Sequence, residues 1–161
     1  MSSELSQTRL VALDVDGVLT DGRFYLSDDG HESKAFSTQD GFGIRQLLEA
    51  GVQVAVISGR KSGAVSLRMR ELGVQHVVLG CADKVAAFET LTDELGIEAS
   101  QCLFVGDDIP DLPLLRRVGT PIAVANAVQE VKDFCAVTTR ASGGFGAVRE
   151  VCELVLAALP R

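Results

Sequence analysis

Asp14 and Asp16 stand two positions apart, directly behind the apolar run Leu10–Leu13. Residues i and i+2 of an extended chain point the same way, so both carboxylates can face one cleft. Gly17 lets the backbone turn sharply away after them. A second acidic group, Asp107, Asp108 and Asp111, follows the apolar stretch Leu103–Val105 and Gly106. Carboxylates that converge repel one another, and a hard divalent cation relieves that repulsion. An oxygen-only donor set meant for a phosphate suits magnesium. Ser58-Gly59-Arg60 ends the run Val52–Ile57, just before a helical pattern. A hydroxyl beside the free N–H groups of a helix start favours an anion. Lys84 opens a further helical pattern, with Asp83 before it as a cap. A cation there opposes the helix dipole and makes sense beside a carboxylate or phosphate. Taken singly, these segments also read as a polar turn, an N-capped helix start or a solvated charge. Their shared position at the ends of apolar runs argues for one site.

The elements that must carry these residues alternate. Leu10–Leu13, Val52–Ile57, Val77–Leu79, Leu103–Val105 and Pro121–Val124 are continuous apolar runs, as in strands covered on both faces. Between them Gly43–Ala50, Ser62–Leu72 and Lys84–Leu95 repeat apolar residues at helical spacing, and a last helix runs from about Ala147 to Leu159. Gly51, Gly73 and Gly96 fall where left-handed caps end helices. The expected fold is α/β, a Rossmann-like parallel sheet with helices on both faces. Phe24–Leu26 and Ser33–Phe36 flank the turn signal Ser27-Asp28-Asp29-Gly30, which predicts a small β-hairpin inserted after the first strand. One domain is expected over residues 1–161, with the insert at about 22–37 and no cap domain. A hairpin this short needs a surface to pack on, so a neighbouring subunit is expected to support it and roof the cleft. The Gly143–Gly146 cluster reads as a plain turn or as a flank of the cleft mouth.

The formal net charge of -7 disfavours a nucleic-acid partner, which needs a basic footprint. A small anionic substrate stays compatible, because a few local cations override net charge inside a cleft. No apolar run is long enough to span a bilayer, so no membrane partner is expected. Met1–Arg9 lacks the apolar region of a secretory signal. Cys81, Cys102, Cys135 and Cys152 are widely separated and read as reduced thiols in a cytoplasmic protein.

Asp14–Thr20, Ser58–Arg60, Lys84 and Gly106–Asp111, in this order, resemble the four motifs of the haloacid dehalogenase superfamily. The Asp at position 16 is similar to that of its phosphatase branch. Asp14–Gly22, Lys34–Ile44, Ser58–Ser62, Gly106–Asp111 and Gly143–Glu150 together resemble the 3-deoxy-D-manno-octulosonate 8-phosphate phosphatases. That resemblance implies a magnesium-dependent phosphatase of lipopolysaccharide precursor synthesis, acting on a sugar-acid phosphate through an aspartyl-phosphate. It implies Asp14 as nucleophile and Asp16 as general acid and base. Magnesium would sit on the Asp14 carboxylate, the Asp16 main-chain carbonyl and Asp107, with Asp108 and Asp111 behind. Ser58, Gly59 and Lys84 would hold phosphate. Substrate contacts would come from Asp16, Ser37, Thr38, Gln39, Asp40, Gly41, Arg45, Arg60, Arg68 and Lys84. A homotetramer with shared sites is implied. Two alternatives share this fold: a phosphatase for a nine-carbon sialic-acid-type 9-phosphate, and a catalytically silent oligomerisation module. Arg60 favours the octulosonate reading.

Overall fold

A computed structural model describes residues 2–160 of the chain, so Met1 and Arg161 of the expected 1–161 domain lie outside the described residues. The six-stranded parallel sheet contains β1 (Leu10–Leu13), β4 (Gln53–Ser58), β5 (His76–Leu79), β6 (Cys102–Gly106), β7 (Thr120–Ala123) and β8 (Val137–Thr138), in the order β5-β4-β1-β6-β7-β8. β2 (Tyr25–Leu26) and β3 (Glu32–Ser33) form a separate antiparallel pair. The helices are α1 (Ser2–Leu5), α2 (Thr38–Glu49), α3 (Gly63–Leu72), α4 (Lys84–Leu95), α5 (Leu112–Leu115), α6 (Gln129–Phe134) and α7 (Ala147–Ala158). The strands of the sheet's centre are buried apart from Gln53 at the start of β4, because both faces are covered, which is why they lack polar alternation.

Chain direction decides where a site can form. From β1 through α2, β4 and α3 to β5 the chain steps one way across the sheet; from β6 through α5 to β7 it steps the other way. Right-handed crossovers then place α2 and α5 on opposite faces. β1 and β6 are neighbours whose continuations diverge, and a crevice opens outside their carboxyl ends. Leu13 pairs with Val56 on one side and Val105 on the other, so Asp14, Ser58 and Asp107 leave the sheet along one edge.

The expected elements differ from the observed ones in four places. α2 starts at Thr38, not Gly43, because Ser37 caps it by accepting a hydrogen bond from the Asp40 N–H at 3.4 Å. The hairpin strands are two residues each, and β3 ends at Ser33; Phe36 leaves the hairpin to pack against the core. β8 was not foreseen, since its Val137–Thr138 pair is too short to form a pattern. The short helices α1, α5 and α6 were likewise unforeseen.

Candidate active site

A cavity of about 320 Å³ opens at the β1–β6 crevice. Asp14, Asp16, Gly22, Ser58, Gly59, Arg60, Lys84, Asp107, Asp108, Pro110 and Asp111 line it. Each of the four sequence segments therefore contributes. Asp14 follows β1, its N–H held by the Val105 carbonyl at 3.1 Å. The loop Val15–Leu19 then turns on Gly17 at φ 86°. A Cβ on Gly17 would lie 1.9 Å from Asp107 Oδ2, so glycine is required both by conformation and by the approach of Asp107.

Lys84 reaches in from the first turn of α4, which Asp83 caps by accepting from the Val85 and Ala86 N–H groups. Its ammonium donates to Asp14 Oδ1 at 2.7 Å and Asp111 Oδ1 at 2.6 Å. Burial works against that charge, but Asp14 and Asp111 outweigh it and raise the lysine pKa. Asp111 Oδ2 accepts from the Asp107 N–H at 2.9 Å and the Asp108 N–H at 3.3 Å, fixing the acidic loop. Asp108 Oδ1 accepts from the Ile109 N–H and caps the short turn that follows.

Carboxylate oxygens of Asp14, Asp107 and Asp111 lie within 4.8 Å of one another. Burial, and then the neighbouring carboxylates, push Asp107 up to about 8. Burial, and then Asp111, push Asp14 up to about 6, against the pull of Lys84. Three carboxylates against the single ammonium of Lys84 would leave two negative charges if all ionised, which is the repulsion that raises Asp14 and Asp107. That excess fits a divalent cation, and an oxygen-only set fits a hard one. The residues present therefore suit magnesium. Asp111 offers an oxygen in the same group as Asp14 and Asp107, and the Asp16 carboxylate, on the same cavity, pairs with Lys34.

The expected substrate contacts divide. Arg60 lines the cavity, where its guanidinium pairs with Glu32 at 2.8 Å and stacks 3.8 Å from the Phe24 ring centroid. Asp40 and Gly41 do not line the cavity of their own chain; α2 begins at Thr38, and both are buried within its otherwise exposed first turn. Asp40 Oδ1 accepts from the Arg149 N–H at 2.8 Å, capping α7 from a neighbouring helix. A Cβ on Gly41 would meet the Arg68 side chain, so the two approach closely. Ser37, Thr38, Gln39, Arg45 and Arg68 do not line the cavity of their own chain; Arg68 pairs with Glu71 at 2.8 Å.

Glu32 and Asn126 escaped the sequence reading, and Lys34 and Ser62 stood there only as ends of the segments Lys34–Ile44 and Ser58–Ser62, with no role given. Glu32 and Lys34 come from the hairpin, and Ser62 donates to Glu32 Oε1 at 2.7 Å. Asn126 donates to the Gly17 carbonyl at 2.9 Å and accepts from the Gly143 N–H at 2.6 Å, tying the glycine loop to the nucleophile loop. Only the Gly143–Gly146 cluster had signalled this contact. The four cysteines are free thiols, and Cys81 donates to the Ser58 carbonyl at 3.4 Å.

Comparison with known proteins gives consistent likenesses. Residues 80–148 match the haloacid dehalogenase-like hydrolases. The 3-deoxy-D-manno-octulosonate 8-phosphate phosphatase KdsC of Escherichia coli K12 is 45% identical over 93% of this chain and 80% of its own length. The crystal structure of the phosphatase of that name from Yersinia pestis superposes with a TM-score of 0.96 at 39% identity, over 98% of this chain and 85% of that one. The Moraxella catarrhalis enzyme, in complex with magnesium, phosphate and KDO, gives 0.95 at 43% identity, over 98% and 91%.

Proposed function

The chain belongs to the 3-deoxy-D-manno-octulosonate 8-phosphate phosphatase family of haloacid dehalogenase-like hydrolases, and we propose that it hydrolyses that sugar phosphate to the free sugar acid and phosphate. The observation that carries this reading is the convergence of Asp14, Ser58, Lys84 and Asp107 on one cavity at the sheet's carboxyl edge.

Asp14 attacks phosphorus, and the bond from phosphorus to the sugar oxygen breaks. A carboxylate needs no separate base for this step. Asp16 gives its proton to the departing oxygen. It then takes a proton from the water that attacks the aspartyl-phosphate, releasing phosphate and restoring Asp14. Ser58, Gly59 and Lys84 hold the phosphoryl oxygens in line. Bound magnesium supplies charge neutralisation for those oxygens. The Asp14 carboxylate, the Asp16 carbonyl and Asp107 would hold it, with Asp108 and Asp111 supporting them.

Arg60 is assigned to the substrate carboxylate, for which its planar fork is suited. Ser37, Thr38, Gln39, Asp40, Gly41, Arg45 and Arg68 are assigned to substrate held by a neighbouring subunit. A homotetramer is supported by the exposed hairpin side chains of Phe24, Tyr25 and Leu26, which one chain leaves uncovered. Residues 1–161 serve as one catalytic domain. Among the described residues no helix is long and apolar enough to cross a membrane, and a cytoplasmic role in lipopolysaccharide precursor synthesis suits the family.

Phosphate release tests the reading on the octulosonate 8-phosphate, a nine-carbon sialic-acid-type 9-phosphate and an aryl phosphate. The first should show the highest kcat/KM, lost in EDTA and restored by magnesium. Release that ignores magnesium, or a preference for the nine-carbon sugar, would overturn it.

A further inference from the structure

We propose that Lys34 of the hairpin link is a positioning residue for Asp16, holding one carboxylate oxygen so that the other serves as the proton-transfer atom. The inference rests on the reading of Asp16 as general acid and base. Lys34 lies in the short link between β3 and α2. Its side chain is fully buried, and a buried ammonium must be paired. Its Nζ donates to Asp16 Oδ1. The other carboxylate nearby is Glu32 at 3.8 Å, already engaged by Arg60 at 2.8 Å and by the Ser62 hydroxyl at 2.7 Å. Asp16 is thus the partner that Lys34 holds by direct contact.

The atoms divide the work. With Oδ1 engaged by the ammonium, Oδ2 is the oxygen left free to exchange a proton with the leaving group. Asp16 lines the cavity and Lys34 does not. Lys34 therefore acts through Asp16 rather than on substrate. A general acid must come within about 2.6–3.2 Å of the leaving oxygen. A free carboxylate explores several rotamers, and the Lys34 contact selects among them. The hairpin is itself anchored through Glu32 to Arg60 and Ser62, beside the phosphate-holding turn. The alternating charges Asp16, Lys34, Glu32 and Arg60 thus run from the proton-transfer group to the arginine assigned to the substrate carboxylate.

Leaving-group dependence tests this, because a nitrophenolate departs without a proton and a sugar alkoxide does not. Lys34→Met should lower kcat on the octulosonate 8-phosphate by about 30-fold, with KM changed less than about threefold, and kcat on p-nitrophenyl phosphate by less than about threefold. In an Asp16→Asn background the same change should add less than about twofold, since it acts through the missing acid. Lys34→Arg, which keeps a cation, should recover most of the loss. Equal losses on both substrates, or an undiminished loss in the Asp16→Asn background, would assign Lys34 a structural role and overturn the proposal. Should Lys34→Met fail to fold, Lys34→Gln keeps a donor and carries the same test with a loss of about tenfold; an unchanged ratio between the two substrates would overturn it equally. Wild-type turnover of the octulosonate phosphate separates these outcomes from a failure of the functional reading.

Discussion

The rim of the sheet and the hairpin lie side by side, yet they are held in opposite ways. At the rim, Asp14, Lys84 and Asp111 have side chains 10%, 12% and 2% exposed, and each leaves a buried strand, a capped helix or a tight turn. Backbone fixes them before any side chain meets another. The hairpin has strands of two residues, with Tyr25 and Leu26 68% and 64% exposed. Its order comes from side chains it lends to the site: Lys34 to Asp16 and Glu32 to Arg60 and Ser62. A rigid scaffold sets the chemistry, and an appended piece gains its own order by completing that chemistry.

The comparison breaks most sharply at the nucleophile. Asp14→Asn should lower turnover by roughly 10⁴-fold or more while leaving the fold intact, read by phosphate release and thermal melting. Near-normal release would remove Asp14 from that role. Lys84→Met should cost roughly 10²–10³-fold in kcat, because the ammonium both offsets Asp14 and Asp111 and meets the phosphoryl group. A loss confined to KM would instead make it a ground-state contact. Gly17→Ala adds a Cβ 1.9 Å from Asp107 Oδ2; displacing that carboxylate should cost about 10²-fold in kcat/KM and weaken magnesium dependence, read by metal titration. Arg60→Ala lies at the boundary of the two regions. It should raise KM for the octulosonate phosphate about tenfold with little change for an aryl phosphate. Equal changes for both would return Arg60 to a purely structural pairing with Glu32. The smallest effect on the subunit itself belongs to the hairpin tip. Tyr25→Ser with Leu26→Ser should change subunit stability by about 0.5 kcal/mol, yet shift light scattering toward smaller species. An unchanged assembly would place the interface elsewhere.

Legibility followed the same division. The central strands were readable because burial on both faces leaves continuous Val, Ile and Leu runs. α4 was readable to its first residue through Asp83 and Lys84, since capping is local chemistry. α2 was misplaced by five residues because its first turn, Thr38–Phe42, is mostly polar, and the Ser37 cap was not weighed. Asp40 entered the expected substrate set through the family resemblance, and no pattern around it signalled that its carboxylate caps α7. Glu32 and Asn126 carried no local signal, and Lys34 only opened a family-like segment with no role attached to it. A charged residue in a hairpin or an asparagine in a loop is ordinary until its partner is known.

By itself the sequence determined which segments end strands and start helices, and hence which carboxylates, hydroxyl and lysine stand at a sheet's edge. Those facts depend on spacing and local hydrogen bonding, which neighbouring residues settle among themselves. Only the tertiary structure decided that Lys84 lies between Asp14 and Asp111, that Asn126 ties Gly143 to the Gly17 loop, and that Lys34 faces Asp16. Each of these joins groups far apart in the chain. Their distances follow from the packing of whole helices and strands against one core, a property no single stretch of sequence contains.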